Sequence, residues 1–462
     1  MSGVTPPLFG TDGIRARAGE EPLTVGTVRC LGAILGGLLG RSKRVVVGRD
    51  TRAAGRWLLR ALAAGLESRG IRILDAGVIP TPAVAYLTRV RRAAAGIVIS
   101  ASHNPAEFNG IKIFSPRGTK LPDRVEARIE RLLYSPNGVL TLSRRAGEGR
   151  GEGSSIRGGR GTETAQYAEF LLSTVPGLRL DGLRLVVDCA NGAQYKLAPG
   201  LLQKLGAEVL PVAVRPDGRN INAGCGAVHV EHLGPTVRRV RADAGIAFDG
   251  DADRALFVDA RGRAVDGDAL LYILARRLLR QGRLVRRTIV ATVMSSQGLV
   301  RSLAADRVKV LRCPVGDRWV YEAMVKGGAN LGGEQSGHII LRHLSPAGDG
   351  LLTALHVLSE MREHKASLAN LLKGFSQTPQ VLENINFPRR GGLLAARPDW
   401  RTRPKFAREV TRAEAALGRW GRVFVRHSGT EPLLRILVEG NDMAKVKAAA
   451  RRLRAVAIHD LA

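Results

Sequence analysis

Three stretches of the chain repeat one order of apolar and polar positions: a run of β-branched residues, a polar or glycine-containing turn, an amphipathic stretch, and a second apolar run. The first is Arg44-Val-Val-Val-Gly-Arg-Asp-Thr-Arg52, followed by a predicted helix from Trp57 to Arg69 and a return through Ile71-Arg-Ile-Leu74. The second begins Leu183-Arg-Leu-Val-Val-Asp188, turns at Asn191-Gly192, predicts a helix to about Leu205 and returns through Glu208 to Val214. The third runs Thr288-Ile-Val-Ala-Thr-Val293, turns at Ser295-Ser296, predicts a helix from Leu299 to Ala305 and returns through Val308-Lys-Val-Leu311. Each is a βαβ unit. The apolar runs are nearly continuous rather than alternating, as strands covered on both faces require.

From about Phe387 the pattern changes. Strands are predicted at Arg422–Arg426 and Leu434–Val438, then a basic helix from Asp442 to Val456 with Val446, Ala450, Leu453 and Ala457 along one side. That is a small α+β arrangement with a solvated basic face. The fold class is therefore α/β: three similar α/β domains with mixed or parallel sheets, plus a smaller C-terminal α+β domain. The expected divisions are domain I at 1–142, a Gly/Arg-rich linker or insertion at 143–163, domain II at 164–265, domain III at 266–380 and domain IV at 381–462. Within the insertion, SRRAGEGRGEGSSIRGGRGT offers almost nothing to bury.

Length and composition agree with this division. A chain of 462 residues exceeds one ordinary core and suits roughly three or four domains of about 100–150 residues. Apolar residues make up 45% and charged residues 24%, enough to fold as a globular protein. The longest apolar stretches, such as Cys30 to Gly40, are too short to cross a bilayer, which takes roughly 20 residues. No secretory leader is evident, so a cytoplasmic location is expected. The four cysteines are widely spaced and form no Cys-x-x-Cys pair, so neither a zinc site nor a disulfide framework is indicated.

Charge is less ordinary, with 71 Lys+Arg against 41 Asp+Glu and a formal net charge of +30. Such a field attracts anions. The basic residues are spread along the chain and aromatic residues are only 4%, leaving few platforms for base stacking. Nucleic acid is therefore not expected as a partner, nor is a membrane, and the anions in view are small phosphorylated molecules. A homo-oligomer is left open.

Four loops carry candidate chemistry. Ser100-Ala-Ser-His-Asn-Pro105 follows the apolar run Gly96-Ile-Val-Ile99 and leads to Asn109-Gly-Ile-Lys112, raising the Ser102 hydroxyl on a turn beside His103 and near Lys112. A serine is a poor nucleophile unless neighbouring groups stabilise the charge that develops. Asp249-Gly-Asp-Ala-Asp-Arg254 supplies three carboxylates at alternate positions, pointing one way from the end of a strand, as a hard cation such as magnesium requires. Gly332-Gly-Glu-Gln-Ser-Gly-His338 places Glu334 and Ser336 where they can take hydrogen bonds from sugar hydroxyls, and His338 where it can bind substrate or move protons. Arg426-His-Ser-Gly-Thr-Glu-Pro432, followed by Arg435, places Ser428, Gly429, Thr430 and two guanidiniums where they can wrap a phosphate.

In this order, and together with Phe9-Gly-Thr-Asp-Gly-Ile-Arg15 and Val315-Gly-Asp-Arg318, these loops resemble the α-D-phosphohexomutase superfamily. The resemblance runs nearly end to end. It implies four domains around a central cleft and a phosphoryl group carried on Ser102. One Mg2+ would be held by the phosphorylated Ser102 with Asp249, Asp251 and Asp253. Glu334 and Ser336 would meet the sugar, and Arg426, Ser428, Gly429, Thr430 and Arg435 its nonreacting phosphate. Arg15, His103 and Lys112 would line the reaction centre.

Gln335, within Gly-Glu-Gln-Ser-Gly-His, tilts the resemblance toward the amino-sugar branch over the glucose/mannose branch. The expected reaction is interconversion of glucosamine 6-phosphate and glucosamine 1-phosphate, feeding amino-sugar nucleotide synthesis for the cell wall. A sugar 1,6-bisphosphate or a kinase-derived phosphate would first charge Ser102. The chain departs from the superfamily pattern at Ala16, where glycine is common, and at Trp319, where tyrosine is frequent.

Overall fold

The computed structural model describes residues 8–10, 12–135, 157–158, 161–386, 399–427 and 433–460. The chain divides into two compact units, residues 1–293 with 310–373 and residues 294–309 with 374–462.

In the first unit, six strands form one mixed sheet: β1 (Ile14–Arg17), β2 (Arg44–Arg49), β3 (Arg72–Val78), β4 (Ala95–Ile99), β5 (Phe108–Phe114) and β6 (Arg157–Gly158), in the order β1-β5-β4-β2-β3-β6. Strand β2 runs parallel to β3 and β4, whereas β5 is antiparallel to both β4 and β1. The expected βαβ unit is therefore present, with an antiparallel edge added to it. Val45, Val46 and Val47 are buried, as their β-branched run requires. The two residues of β6 extend the far edge beside β3, and a helix starts at Thr162. Structure thus enters the segment expected to be a linker; the rest of 136–160 lies outside the described residues.

Helices Val25–Leu39 and Gly55–Glu67 cross closely over this sheet. A Cβ at Gly32 would lie 2.3 Å from the Leu62 carbonyl oxygen, and one at Gly65 2.0 Å from that of Arg29, so the crossing accepts only glycine at both points. Leu31, Ile34, Leu58, Leu62 and Leu66 fill the space beneath.

A second sheet contains β7 (Arg184–Asp188), β8 (Glu208–Val212), β9 (Ala244–Phe248), β10 (Ala255–Asp259) and β11 (Ala264–Val265), ordered β11-β10-β9-β7-β8. A third contains β12 (Thr288–Thr292), β13 (Lys309–Cys313), β14 (Leu331–Gly333) and β15 (Ile339–Leu341), ordered β13-β12-β14-β15. Side-chain caps fix the starts of several helices. Asp266 accepts from the Ala269 N–H, and Asp349 from that of Leu352, each meeting a donor that the first helical turn leaves open. All four cysteines are buried free thiols.

In the second unit, β16 (Gln380–Asn386), β17 (Arg422–His427) and β18 (Leu433–Glu439) form an antiparallel sheet with β18 in the centre. Helices Pro404–Leu417 and Met443–Asp460 cover it, burying Phe406, Val410, Val446, Ala450, Leu453 and Ala457 against Leu434, Ile436 and Val438. The apolar side expected for the terminal helix is thus the face that packs.

Candidate functional site

The loops after β4 and β9 and the turn between β14 and β15 meet in the first unit. Ser102 sits where the chain leaves β4 and turns back toward the antiparallel β5. It is fully buried with φ at +52°, left-handed for a residue that carries a Cβ. Its hydroxyl donates to Asp249 Oδ2 at 2.6 Å, and His103 Nδ1 lies 3.3 Å from Ser102 Oγ.

The segment Asp249–Arg254 is the hairpin turn joining β9 to β10. The expectation of strand-like alternation is corrected here: Ala252 takes φ +59°, and turn geometry rather than a pleat gathers the carboxylates. Carboxylate oxygens of Asp249, Asp251 and Asp253 all lie within 4.8 Å of one another, and the three residues are buried. Thr81 donates its hydroxyl to Asp251 Oδ2 at 2.6 Å and its N–H to the Asp251 carbonyl at 2.9 Å, pinning the turn to the start of the helix Thr81–Val90.

Like charges this close must be compensated. Lys112, buried on β5, donates to Asp251 Oδ2 at 2.8 Å and to Asp253 Oδ2 at 3.2 Å, and lies 3.1 Å from Asp12 Oδ2. Burial disfavours its ammonium, but Asp12, Asp251 and Asp253 overcome this and hold its pKa well above the usual lysine value. Asp253 goes the other way: despite burial, Lys112 and His338 hold its carboxyl well below the usual range. Asp249 accepts from the Ser102 hydroxyl and the Arg254 N–H but makes no ion pair with Lys112. Burial first, then Asp253 and Asp251, push its pKa well above the ordinary carboxylate value.

Lys112, His338 and Arg254 face the carboxylates, yet Asp251 Oδ1 is buried without a hydrogen-bond partner among the described residues. An all-oxygen cluster with an unsatisfied lone pair and one protonation-prone member fits a hard divalent cation.

Two histidines near the cluster have opposite characters. Burial, reinforced by Arg254 and Arg15, lowers the His103 pKa to about 3, so its ring is neutral at pH 7. His338 is also buried, but Asp253 and Asp317 raise its pKa to about 9, making it a fixed cation. Its Nδ1 lies 3.5 Å from Asp253 Oδ1. Glu334 accepts from the Gly316 N–H at 2.9 Å and from the Ser336 hydroxyl at 3.1 Å, so the β14–β15 turn is tied to the start of the helix Asp317–Gly327. Gln335 donates to Asp266 at 3.1 Å. A cavity of about 180 Å3 opens alongside, with Lys120, Asp317, Tyr321 and His338 among its lining residues.

Ser102, His103, Lys112, Asp249, Asp251, Asp253, Glu334, Ser336 and His338 are thus held by contacting loops. Arg15 joins them through Asn104 Oδ1 at 3.1 Å and a close pair with Asp12. Arg426 and Arg435 are opposite one another on β17 and β18 of the second unit; Ser428, Gly429 and Thr430 lie outside the described residues. Asp12, Lys120 and Asp317 escaped the sequence reading as charged groups of the site. Lys120 joins Asp12 Oδ1 at 2.7 Å to Asp317 Oδ1 at 2.6 Å, partners 108 and 197 positions away that no local motif announces.

Comparison with known proteins agrees along the whole chain. Models of the phosphoglucomutase/phosphomannomutase domains I, II, III and the C-terminal domain match residues 6–136, 165–262, 266–378 and 382–456. A protein of Cereibacter sphaeroides named phosphoglucosamine mutase is 46% identical over 449 residues, covering 96% of this chain and 97% of its own. One of the same name from Sorangium cellulosum is 46% identical over 461 residues, covering 98% and 93%. Among solved structures, a phosphoglucomutase/phosphomannomutase family protein of Burkholderia thailandensis superposes with a TM-score of 0.76 at 25% identity, covering 98% of each chain.

Proposed function

The chain belongs to the phosphoglucomutase/phosphomannomutase family, and on that premise we propose that it interconverts glucosamine 6-phosphate and glucosamine 1-phosphate through a phosphoryl group carried on Ser102. The reaction is an intramolecular phosphoryl transfer, an isomerisation overall. The observation that carries the reading is the Ser102 hydroxyl set 2.6 Å from Asp249 at the rim of three buried carboxylates. The name shared by relatives 46% identical over nearly their full length favours glucosamine over glucose or mannose.

In the forward direction the bond from phosphorus to Ser102 Oγ breaks and one to the free sugar hydroxyl forms. A bisphosphorylated sugar results, and its other phosphate returns to Ser102 after the sugar turns round. The proton displaced from the sugar hydroxyl needs a neutral base. His103 Nδ1, 3.3 Å from Ser102 Oγ, lies beside the transfer path and is the nearest imidazole to receive it. Lys112 and His338, both held positive, present donors to phosphoryl oxygens, and Arg15 and Arg254 add to that positive lining. On the same reading Glu334 and Ser336 orient sugar hydroxyls, and Arg426, Ser428, Gly429, Thr430 and Arg435 are assigned by the resemblance to the distal phosphate. Positioning of this kind supplies much of the rate in phosphoryl transfer.

Asp249, Asp251 and Asp253, with the phosphorylated Ser102, would hold Mg2+. A bound divalent cation neutralises charge on the transferring group. Initial charging of Ser102 falls to a sugar 1,6-bisphosphate or a kinase-derived phosphate.

The test is Ser102→Ala with intact-mass analysis of the wild type. The variant is expected to fold and lose mutase turnover, and the purified wild type to carry one phosphoryl group that phosphatase removes. Full turnover by Ser102→Ala overturns the reading. Rates on glucosamine, glucose and mannose phosphates, measured side by side with Mg2+ and a trace of sugar bisphosphate, test the choice of sugar; a preference for glucose or mannose overturns it.

A further inference from the structure

The Ser102 turn is held by its main chain. The Ser102 N–H donates to Ser100 Oγ at 2.9 Å, and the Ser100 hydroxyl donates to Asp50 Oδ2 at 2.5 Å. Asp50 Oδ2 also receives Arg52 Nε at 2.8 Å, closing a circuit of buried groups at the end of β2. The same Arg52 donates through Nη2 to the carbonyls of Ser102 at 2.9 Å and Asn104 at 2.8 Å, and through Nη1 to that of Phe108 at 3.0 Å. One guanidinium thus grips the turn along its length.

A second donor reaches the same two carbonyls from a connection between strands of the second sheet. Asn222, in the segment between β8 and β9, donates Nδ2 to the Ser102 carbonyl at 2.9 Å and to the Asn104 carbonyl at 3.0 Å. Its side chain is buried, and Oδ1 has no hydrogen-bond partner among the described residues. The polar contacts of this side chain are therefore with the serine turn. The aspartate turn rests on the same point: a Cβ at Gly250 would lie 2.6 Å from the Ser102 carbonyl oxygen and 3.0 Å from Asn222 Nδ2. Serine turn, aspartate turn and Asn222 are in mutual contact.

We propose that Asn222, working with Arg52, is a positioning residue for phosphoryl transfer, setting the direction of Ser102 Oγ against the aspartate turn by gripping the Ser102 and Asn104 carbonyls. The inference rests on Ser102 being the phosphoryl carrier. A left-handed backbone at a non-glycine residue persists only where its surroundings enforce it, and here the enforcing donors come from segments that follow strands of two sheets. Loss of Asn222 leaves Arg52 in place, so the turn stays folded while its alignment loosens. Groups suited to recognising the sugar and its distal phosphate lie on other loops, so the defect belongs in kcat.

The experiment compares Asn222→Ala, Asn222→Asp and Ser102→Ala with wild type, assaying glucosamine phosphate turnover with Mg2+ and sugar bisphosphate. Rates are expressed per phosphorylated Ser102, counted by intact mass, so that a loss of folded protein does not pass for slower transfer. Asn222→Ala is expected to lower kcat by about 10- to 100-fold, the scale of a small misplacement of reacting groups, with KM within about twofold. Asn222→Asp, which turns an acceptor toward two carbonyl oxygens, is expected to lower it further. A wild-type kcat in Asn222→Ala, or a raised KM with kcat intact, overturns the inference. If Asn222→Ala does not fold, Asn222→Ser, which keeps one donor, is read by the same criterion. Turnover by Ser102→Ala sinks the carrier reading itself; silence there with wild-type turnover in Asn222→Ala sinks only the positioning role.

Discussion

The serine turn and the aspartate turn touch, yet they are built on opposite principles. Around Ser102, the N–H is claimed by Ser100 at the end of β4, and the carbonyl by Arg52, just past β2, and by Asn222. Around Asp251, a buried oxygen has no partner among the described residues, and the neighbouring Asp249 is pushed toward protonation by burial first and then by Asp253 and Asp251. One turn spends its polar groups on geometry; the other keeps a carboxylate oxygen unspent. A nucleophile needs to be aimed, whereas a cation site needs unsatisfied ligands, and the fold supplies each where the other would be useless.

The contrast is broken most severely at Lys112, the cation shared by Asp251, Asp253 and Asp12. Lys112→Met leaves those carboxylates facing one another in a buried site and is expected to destabilise the metal-free protein by about 3–5 kcal/mol, measured by denaturant unfolding in EDTA. An unchanged midpoint would show that the lysine does not balance the aspartate turn.

Adding Mg2+ sharpens the comparison from the other side. At 100 times its dissociation constant, a ligand bound only to the folded state stabilises by about 2.7 kcal/mol. Thermal unfolding with and without Mg2+ should show a concentration-dependent gain in wild type that is lost in Asp251→Asn. An equal gain in both would place the ion elsewhere.

The smallest expected effect separates the carboxylate cluster from the background acid sensitivity of the fold. His356 is buried in the helix Gly350–Glu363, and burial, aided by Arg277, lowers its pKa to about 3. Above the ordinary histidine pKa near 6.5 both states are neutral there. Below it the unfolded chain binds a proton that the folded chain refuses until about pH 3, so stability falls with decreasing pH by about 1.4 kcal/mol per unit. His356→Leu should remove that slope between pH 6 and pH 4 relative to wild type; parallel stability curves would refute the assignment.

How much of this was legible in the sequence depends on the span over which each interaction acts. The strand–turn–helix repeats are local, and β2, β7 and β12 fall on the β-branched runs that announced them. Ser102 and the three aspartates were visible because each lies in a short run whose residue types state a chemistry. The gathering of those aspartates was foreseen for the wrong reason, since a hairpin turn does what strand alternation was expected to do. Arg52 stood inside a recognised segment, Gly48-Arg-Asp-Thr-Arg52, but its partners lie about 50 positions on. Asn222 reaches residues 118 and 120 positions away, and nothing in Asn220-Ile-Asn222 separates it from an ordinary turn. Ligands advertise themselves locally; the residues that aim them do not.

The four thiols carry a practical consequence. Cys30, Cys189, Cys225 and Cys313 are all shielded, and burial raises the pKa of each, to about 12 for Cys225 and Cys313. Few thiolates are therefore exposed to electrophiles at neutral pH. A single cysteine introduced on an outer helix face would be the preferred target of a maleimide dye, so the natural chain can serve as the starting background for fluorescence work without first stripping its own sulfur.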